Sequence, residues 1–152
     1  MTGIPYWNTD IGGYSGGDPK DKNYQEVFVR WFQYGAFTPM FRAHGRRHPY
    51  KSRSDENEIW SFGIENQKTL TKFINLCYRL LPYIYSLSCK VHSEGYTLMR
   101  ALVFDFINDV AVYNIPDQFL LGNIMVCPVT EAGASGLVID LRENGGGAFA
   151  DY

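Results

Sequence analysis

The chain predicts an α/β arrangement followed by β, and three observations predict it. Apolar residues recur at helical spacing over 24–32 and again, for longer, over 70–87. A short apolar run stands before each of these helices and ends in a glycine-rich or polar loop. Beyond Gly95 the pattern changes to branched and aromatic runs cut by Asn-Asp, Pro-Asp and Gly turns. Strand, loop, helix, strand, loop, long helix is the order of units in a β/α barrel, whose ligand-binding side chains sit in the loops after the strands. Two such units precede the β segments, where a full barrel takes about 250 residues.

Each element has a local reason. Gly3 to Trp7 reads as a brief strand with Pro5 where no ladder donor is needed. A loop rich in glycine follows, through Gly12, Gly13, Gly16 and Gly17. Tyr24, Val27, Phe28, Trp31 and Phe32 then mark a helix, with Asp21 or Asn23 as N-cap and Gly35 as its stop. Ala36 to Phe41 reads as a second strand, and a charged loop runs from Gly45 to about Glu58. The stripe Leu70, Phe73, Ile74, Cys77, Leu80, Leu81, Ile84 and Leu87 predicts a long helix between Glu65 and Val91 that Pro82 kinks or divides. Leu98 to Phe106, Gln118 to Val129 and Gly136 to Leu141 read as antiparallel strands. The expected division is 1–94 for the barrel-like part, 95–141 for the β part and 142–152 for a glycine-rich tail.

Composition excludes several classes of function. At 152 residues and 45% hydrophobic, the chain can bury one ordinary core. A net charge of −2 gathers neither nucleic acid nor anionic lipid, and the cluster Arg46, Arg47, Lys51 and Arg53 is answered by Asp55, Glu56 and Glu58. No apolar run reaches the roughly 18 residues of a membrane helix. No nucleic acid or membrane partner is expected, while compartment and oligomeric state stay open. Cys77, Cys89 and Cys127 lack metal spacing and read as buried free thiols, and neither metal nor cofactor is expected. Gly12 to Gly17 has neither the Lys-Ser/Thr of a phosphate loop nor a dinucleotide fingerprint.

Chemistry concentrates in two short segments, Trp7 to Tyr14 and Arg42 to Gly45. Each sets polar, ring-binding groups at the end of an apolar run beside glycines that let backbone approach a ligand. That layout suits a sugar. Asp10 has two readings: a carboxylate that fixes a sugar hydroxyl or pairs with Arg42, or a loop residue capping the glycine turn through backbone amides. Arg42, two residues before His44, falls on the same side of a strand and is placed to brace Asp10. Trp7 and Tyr14 offer aromatic faces at the same mouth, although Trp7 suits barrel packing equally well. Trp31, Phe32 and Trp60 read as core or rim.

The segment Gly3-Ile4-Pro5-Tyr6-Trp7-Asn8-Thr9-Asp10-Ile11-Gly12-Gly13-Tyr14 resembles the Gly-x-Pro-x-Trp-x-x-Asp-Ile-Gly-Gly-Phe segment of glycoside hydrolase family 31, with Tyr for Phe. Arg30-Trp31-Phe32-Gln33-Tyr34-Gly35-Ala36-Phe37-Thr38-Pro39-Met40-Phe41-Arg42-Ala43-His44-Gly45 is similar to the later pattern of the same family. Leu80 to Ser86 and Met99 to Leu102 resemble its following helix and the start of its β-sandwich. The resemblance covers roughly Gly3 to Leu141, and 142–152 departs from it. It implies the last two β/α units of a (β/α)8 TIM barrel plus the start of a C-terminal β-sandwich.

The same resemblance implies retaining hydrolysis of terminal α-xylosides or α-glucosides by two aspartates, with the α-xylosidase branch preferred. The substrate is an α-linked oligosaccharide or glycoside. Both aspartate motifs of the family come before the segment matching Gly3, so the catalytic pair is expected upstream of Met1 and maps to no residue here. Asp10, His44, Tyr14 and Trp7 are then substrate-binding residues and Arg42 a supporting one, His44 corresponding to the family histidine that bonds hydroxyls of the cleaved ring. Two other readings stay open, a non-catalytic carbohydrate-binding module and an inactive truncated product.

Overall fold

The computed structural model describes residues 3–47, 56–131 and 133, and the backbone of 138–140. Helix α1 spans Lys22–Gly35. Asp21 is its N-cap, in extended backbone, with its carboxylate accepting from the Asn23 N–H at 2.9 Å, which satisfies one of the otherwise orphaned first-turn donors. Its buried stripe runs through Phe28, Val29, Phe32 and Gly35, whereas Val27 is exposed. Gly35 does not stop the helix by a left-handed turn, because the cap residue Ala36 stays right-handed at φ −62°. It is a packing position: a Cβ there would meet Ile11 Cδ1 at 2.5 Å.

Helix α2 spans Ile64–Glu94 without a break, so Pro82 does not divide it. Leu80, Ile84 and Leu87, on either side of the proline, are buried in one cluster, and that packing holds the helix where the missing N–H would weaken it. Gly95 ends it in the left-handed region at φ 64° with its N–H on Lys90 O.

Four short strands follow: β1 (Met99–Arg100), β2 (Phe119–Leu121), β3 (Ile124–Cys127) and β4 (Val138–Asp140). They form one antiparallel sheet in sequence order, with Phe119 opposite Val126 and Met125 opposite Asp140. Two sequence expectations change here. The strand expected from Leu98 stops at Arg100, since Leu102–Phe104 turns as a 3₁₀ helix. The run 118–129 is a hairpin turning at Gly122-Asn123, a two-residue Gly-Asn signal of the kind that joins paired strands. Tyr83 of α2 holds the turn, its hydroxyl donating to Leu121 O at 3.2 Å and accepting from the Asn123 N–H at 2.6 Å.

The strands expected at 3–7 and 36–41 do not form ladders. Their successors meet instead in two isolated parallel bridges, Ile11 with Ala43 and Ser15 with Arg46. A strand exists only through its neighbours' hydrogen bonds, and among the described residues 3–7 and 36–41 have none of that kind.

Two buried clusters share α2. Ile11, Phe28, Val29, Phe32, Phe62 and Leu70 form one, within which Phe28 and Phe62 stack at 3.8 Å. Leu80, Ile84, Leu87, Leu98 and the inward residues of β1 to β3 form the other, and Phe41 and Phe73 touch both. Val27, Trp31 and Tyr34 make a second apolar line on α1, facing Phe119, Pro128 and Val129 across a cleft of about 440 Å³. The three cysteines are not in disulfides, but the expected burial is not found: Cys77 and Cys127 are half-buried, and Cys89 is exposed because it falls outside the stripe of α2. Of the basic cluster of the sequence, Arg47 is fully buried, while Lys51, Arg53, Asp55 and the tail 142–152 lie outside the described residues.

Candidate functional site

The two parallel bridges lay residues 9–16 beside 42–47. Ile11 N–H donates to Arg42 O at 3.2 Å, Arg46 N–H to Tyr14 O at 2.8 Å and Gly16 N–H to Arg46 O at 3.0 Å. These bonds place the two sugar-type segments edge to edge. Arg42 Nη2 donates to Asp10 Oδ1 at 2.5 Å. Tyr14 and His44 face each other with ring centroids 5.8 Å apart. Tyr14, His44 and Trp7 are exposed, Asp10 is half-buried, and Arg42 bridges the segments from the solvent side. Thus four of the five sequence candidates form two cross-segment pairs, Asp10 with Arg42 and Tyr14 with His44, while Trp7 stands three residues before Asp10 on the same segment.

Two glycines make the approach possible. At Gly12 (φ 85°) a Cβ would meet Phe28, Arg47 and Tyr24 within 2.8 Å. At Gly45 (φ 133°) it would meet the carbonyl oxygens of Gly13 and Tyr14 at 2.4 and 2.7 Å. At Gly12 side chains press on the backbone, and at Gly45 backbone touches backbone between the loops, approaches that only a residue without Cβ allows. Trp31 ties the first loop to α1 by donating its indole N–H to Thr9 Oγ1 at 2.7 Å.

The residue missed by sequence reasoning is Arg47, which is 1% exposed. Its Nη1 donates to Gly13 O at 2.7 Å and Gly16 O at 3.3 Å, and its Nη2 to Ile11 O at 3.0 Å and His44 O at 3.4 Å. The guanidinium carbon lies 5.7 Å from the Tyr24 ring centroid and 6.0 Å from that of Phe28, within the range of a cation–π attraction. Tyr24 completes the set with its hydroxyl on Gly12 O at 2.9 Å. Burial pushes the Arg47 guanidinium below its ordinary value against the opposing fields of Tyr24 and Asp10, and burial likewise holds the Tyr24 phenol above 10.0. In the linear chain Arg47 was one of several basic residues in a polar loop, and nothing in the spacing distinguished it from Arg46.

Chemically, the mouth offers a carboxylate held in a fixed direction, an imidazole that can donate at one nitrogen and accept at the other, and two exposed aromatic rings. These are groups that bind hydroxyls and ring faces. Among the described residues no group of three His, Cys, Asp or Glu side chains could hold a metal ion.

Known proteins share this chain's pattern. Residues 1–87 match the glycosyl hydrolases family 31 TIM-barrel domain, and residues 95–151 match the glycosyl hydrolase family 31 C-terminal domain. An alpha-xylosidase of Saccharolobus solfataricus is 47% identical over 86% of this chain and 17% of its own length. Human neutral alpha-glucosidase AB is 36% identical over 95% of this chain and 14% of its own. Among solved structures, a GH31 alpha-xylosidase from a soil metagenome complexed with xylose superimposes with a TM-score of 0.79 at 39% identity, covering 87% of this chain and 22% of that one. The chain thus spans about a sixth of the length of the curated relatives it matches.

Proposed function

Since the chain belongs to glycoside hydrolase family 31, we propose that it contributes the sugar-gripping wall of a retaining α-glycosidase, with terminal α-xylosides favoured over α-glucosides. The observation that carries this reading is the pairing across the two parallel segments: Asp10 with Arg42, and Tyr14 with His44. In this reading residues 1–94 correspond to the last two β/α units of the barrel and 95–141 to the start of the β-sandwich, while the family match over 95–151 runs on into 142–152, the segment expected to depart from it.

Retention of configuration requires one carboxylate to attack the anomeric carbon while a second carboxylic acid protonates the departing oxygen. Water, deprotonated by the second group, then hydrolyses the glycosyl ester. Asp10 does not suit the nucleophile's part, because Arg42 already occupies one of its oxygens. A carboxylate tied in this way is suited to hold a hydroxyl in one direction. His44 supplies a donor and an acceptor to neighbouring hydroxyls, and the exposed faces of Tyr14 and Trp7 cover the ring. The pair of reacting aspartates corresponds to no position in these 152 residues. The preference for xylose follows the alpha-xylosidases among the similar proteins.

Calorimetric titration of the purified chain with xylose and with glucose tests the proposal. Binding that His44→Ala abolishes supports it, and no heat at high concentrations of either sugar overturns it. An aryl α-xyloside assay on the same chain is expected to show no turnover; clear turnover would mean that a catalytic pair lies within these residues.

A further inference from the structure

We propose that Arg47 is the positioning residue of this mouth, setting where His44 and Tyr14 stand relative to Asp10; the inference rests on the sugar-binding reading above only for its consequence for ligand affinity. The two segments are joined directly by three backbone hydrogen bonds and touch in isolated bridges instead of a continuous ladder. Such a junction has little stiffness of its own. Arg47 adds five bonds, three to carbonyls of the first segment (Ile11, Gly13, Gly16) and two within the second, to the carbonyls of Arg46 and of His44 itself.

The direction of those carbonyls is what matters. Turning the oxygens of Ile11, Gly12 and Gly13 inward, onto Arg47 and the Tyr24 hydroxyl, fixes the peptide planes on both sides of Gly12 and the one after Gly13. Asp10, half-buried, and Tyr14, exposed, stand at the two ends of this stretch. A planar guanidinium with its fork of donors can hold several carbonyls at once, whereas an ammonium is a point charge that cannot span them. Among the described residues no carboxylate forms an ion pair with this buried charge, which is sheltered by the Tyr24 and Phe28 rings. An apolar residue of the same volume would avoid that desolvation cost but leave the inward carbonyls unpaired.

The test compares the unsubstituted chain with Arg47→Ala and Arg47→Lys. Thermal unfolding first establishes which variants fold. Proton NMR then follows the cross-peaks between the Tyr14 and His44 rings, and calorimetry follows xylose affinity. In Arg47→Ala the ring cross-peaks should vanish and xylose affinity should fall at least tenfold, and added millimolar guanidinium should restore both while methylammonium restores neither. Should Arg47→Ala not fold, Arg47→Lys carries the test, since it keeps the charge and loses the fork: the cross-peaks should still be lost. A folded variant that keeps the ring contact, or an Arg47→Ala that guanidinium does not rescue, overturns the positioning role. If the unsubstituted chain itself takes up no xylose, the sugar-binding reading fails, and the NMR contact alone still decides the part assigned to Arg47.

Discussion

Replacing Gly45 by alanine tests whether the two site segments are held as closely as their backbone contacts indicate. The new methyl carbon would lie 2.4 Å from Gly13 O and 2.7 Å from Tyr14 O, both backbone atoms that cannot swing aside, at φ 133°. Backbone strain at such a position costs about 1–3 kcal/mol, and forcing extra atoms into a packed contact costs about 1–3 kcal/mol more. A total near 4 kcal/mol corresponds to a loss of roughly 12 °C in Tm for a chain of this size. Gly95→Ala is the matched control, because Gly95 also has positive φ but a Cβ there meets nothing within 4 Å. Its cost is about 1–2 kcal/mol, from the left-handed backbone alone. Differential scanning calorimetry of both variants separates the two contributions. If they unfold within about 2 °C of one another, the close approach of the segments contributes nothing and the packed junction described above is wrong.

Three further outcomes follow from other parts of the fold. Tyr83→Phe removes the hydroxyl that serves both Leu121 O and the Asn123 N–H; a loss of about 1–2 kcal/mol in denaturant unfolding is expected, with faster amide exchange at Asn123 and no change there counting against the capping role. Alkylation at mildly alkaline pH should modify Cys89 before Cys77, since Cys89 is exposed while burial pushes the Cys77 thiol up, and peptide mass mapping after partial reaction reads the order. Burial also holds the phenols of Tyr24, Tyr34 and Tyr96 above 10.0. Between the unfolded and folded values the native state binds more protons than the unfolded one, so stability is full below pH 10 and falls as pH rises through that range; a Tm that does not drop between about pH 9 and pH 11 would contradict the burial of these rings.

Much of this chain could be read along one dimension. Helix α1 and its Asp21 cap, the long α2 with its stripe from Leu70 to Leu87, and the turn residues after Gly95 all depend on neighbours within four positions, so periodicity and capping chemistry expose them. The two motif segments were equally legible, because a run of specific residues carries their likeness to a family without any need for geometry. Legibility ended where partners are distant in sequence. Residues 3–7 and 36–41 have the composition of strands, but a strand is defined by hydrogen bonds to other segments, and among the described residues of these two segments and their loops only Ile11 with Ala43 and Ser15 with Arg46 form bridges. Gly122-Asn123 carries a two-residue turn signal, but apolar residues continue on both sides of it, so 118–129 reads as one strand.

Local chemistry made these helices and loops what they are, and residue type alone nominated Asp10, Arg42, His44, Tyr14 and Trp7. Folding in three dimensions chose Arg47 over Arg46 as the buried cation and made Cys89 the exposed thiol of the three. It also spent Gly35 on contact with Ile11 instead of on a turn. Burial is a property of all the surroundings at once, and identical side chains one position apart point to opposite environments only after the second segment has packed against the first.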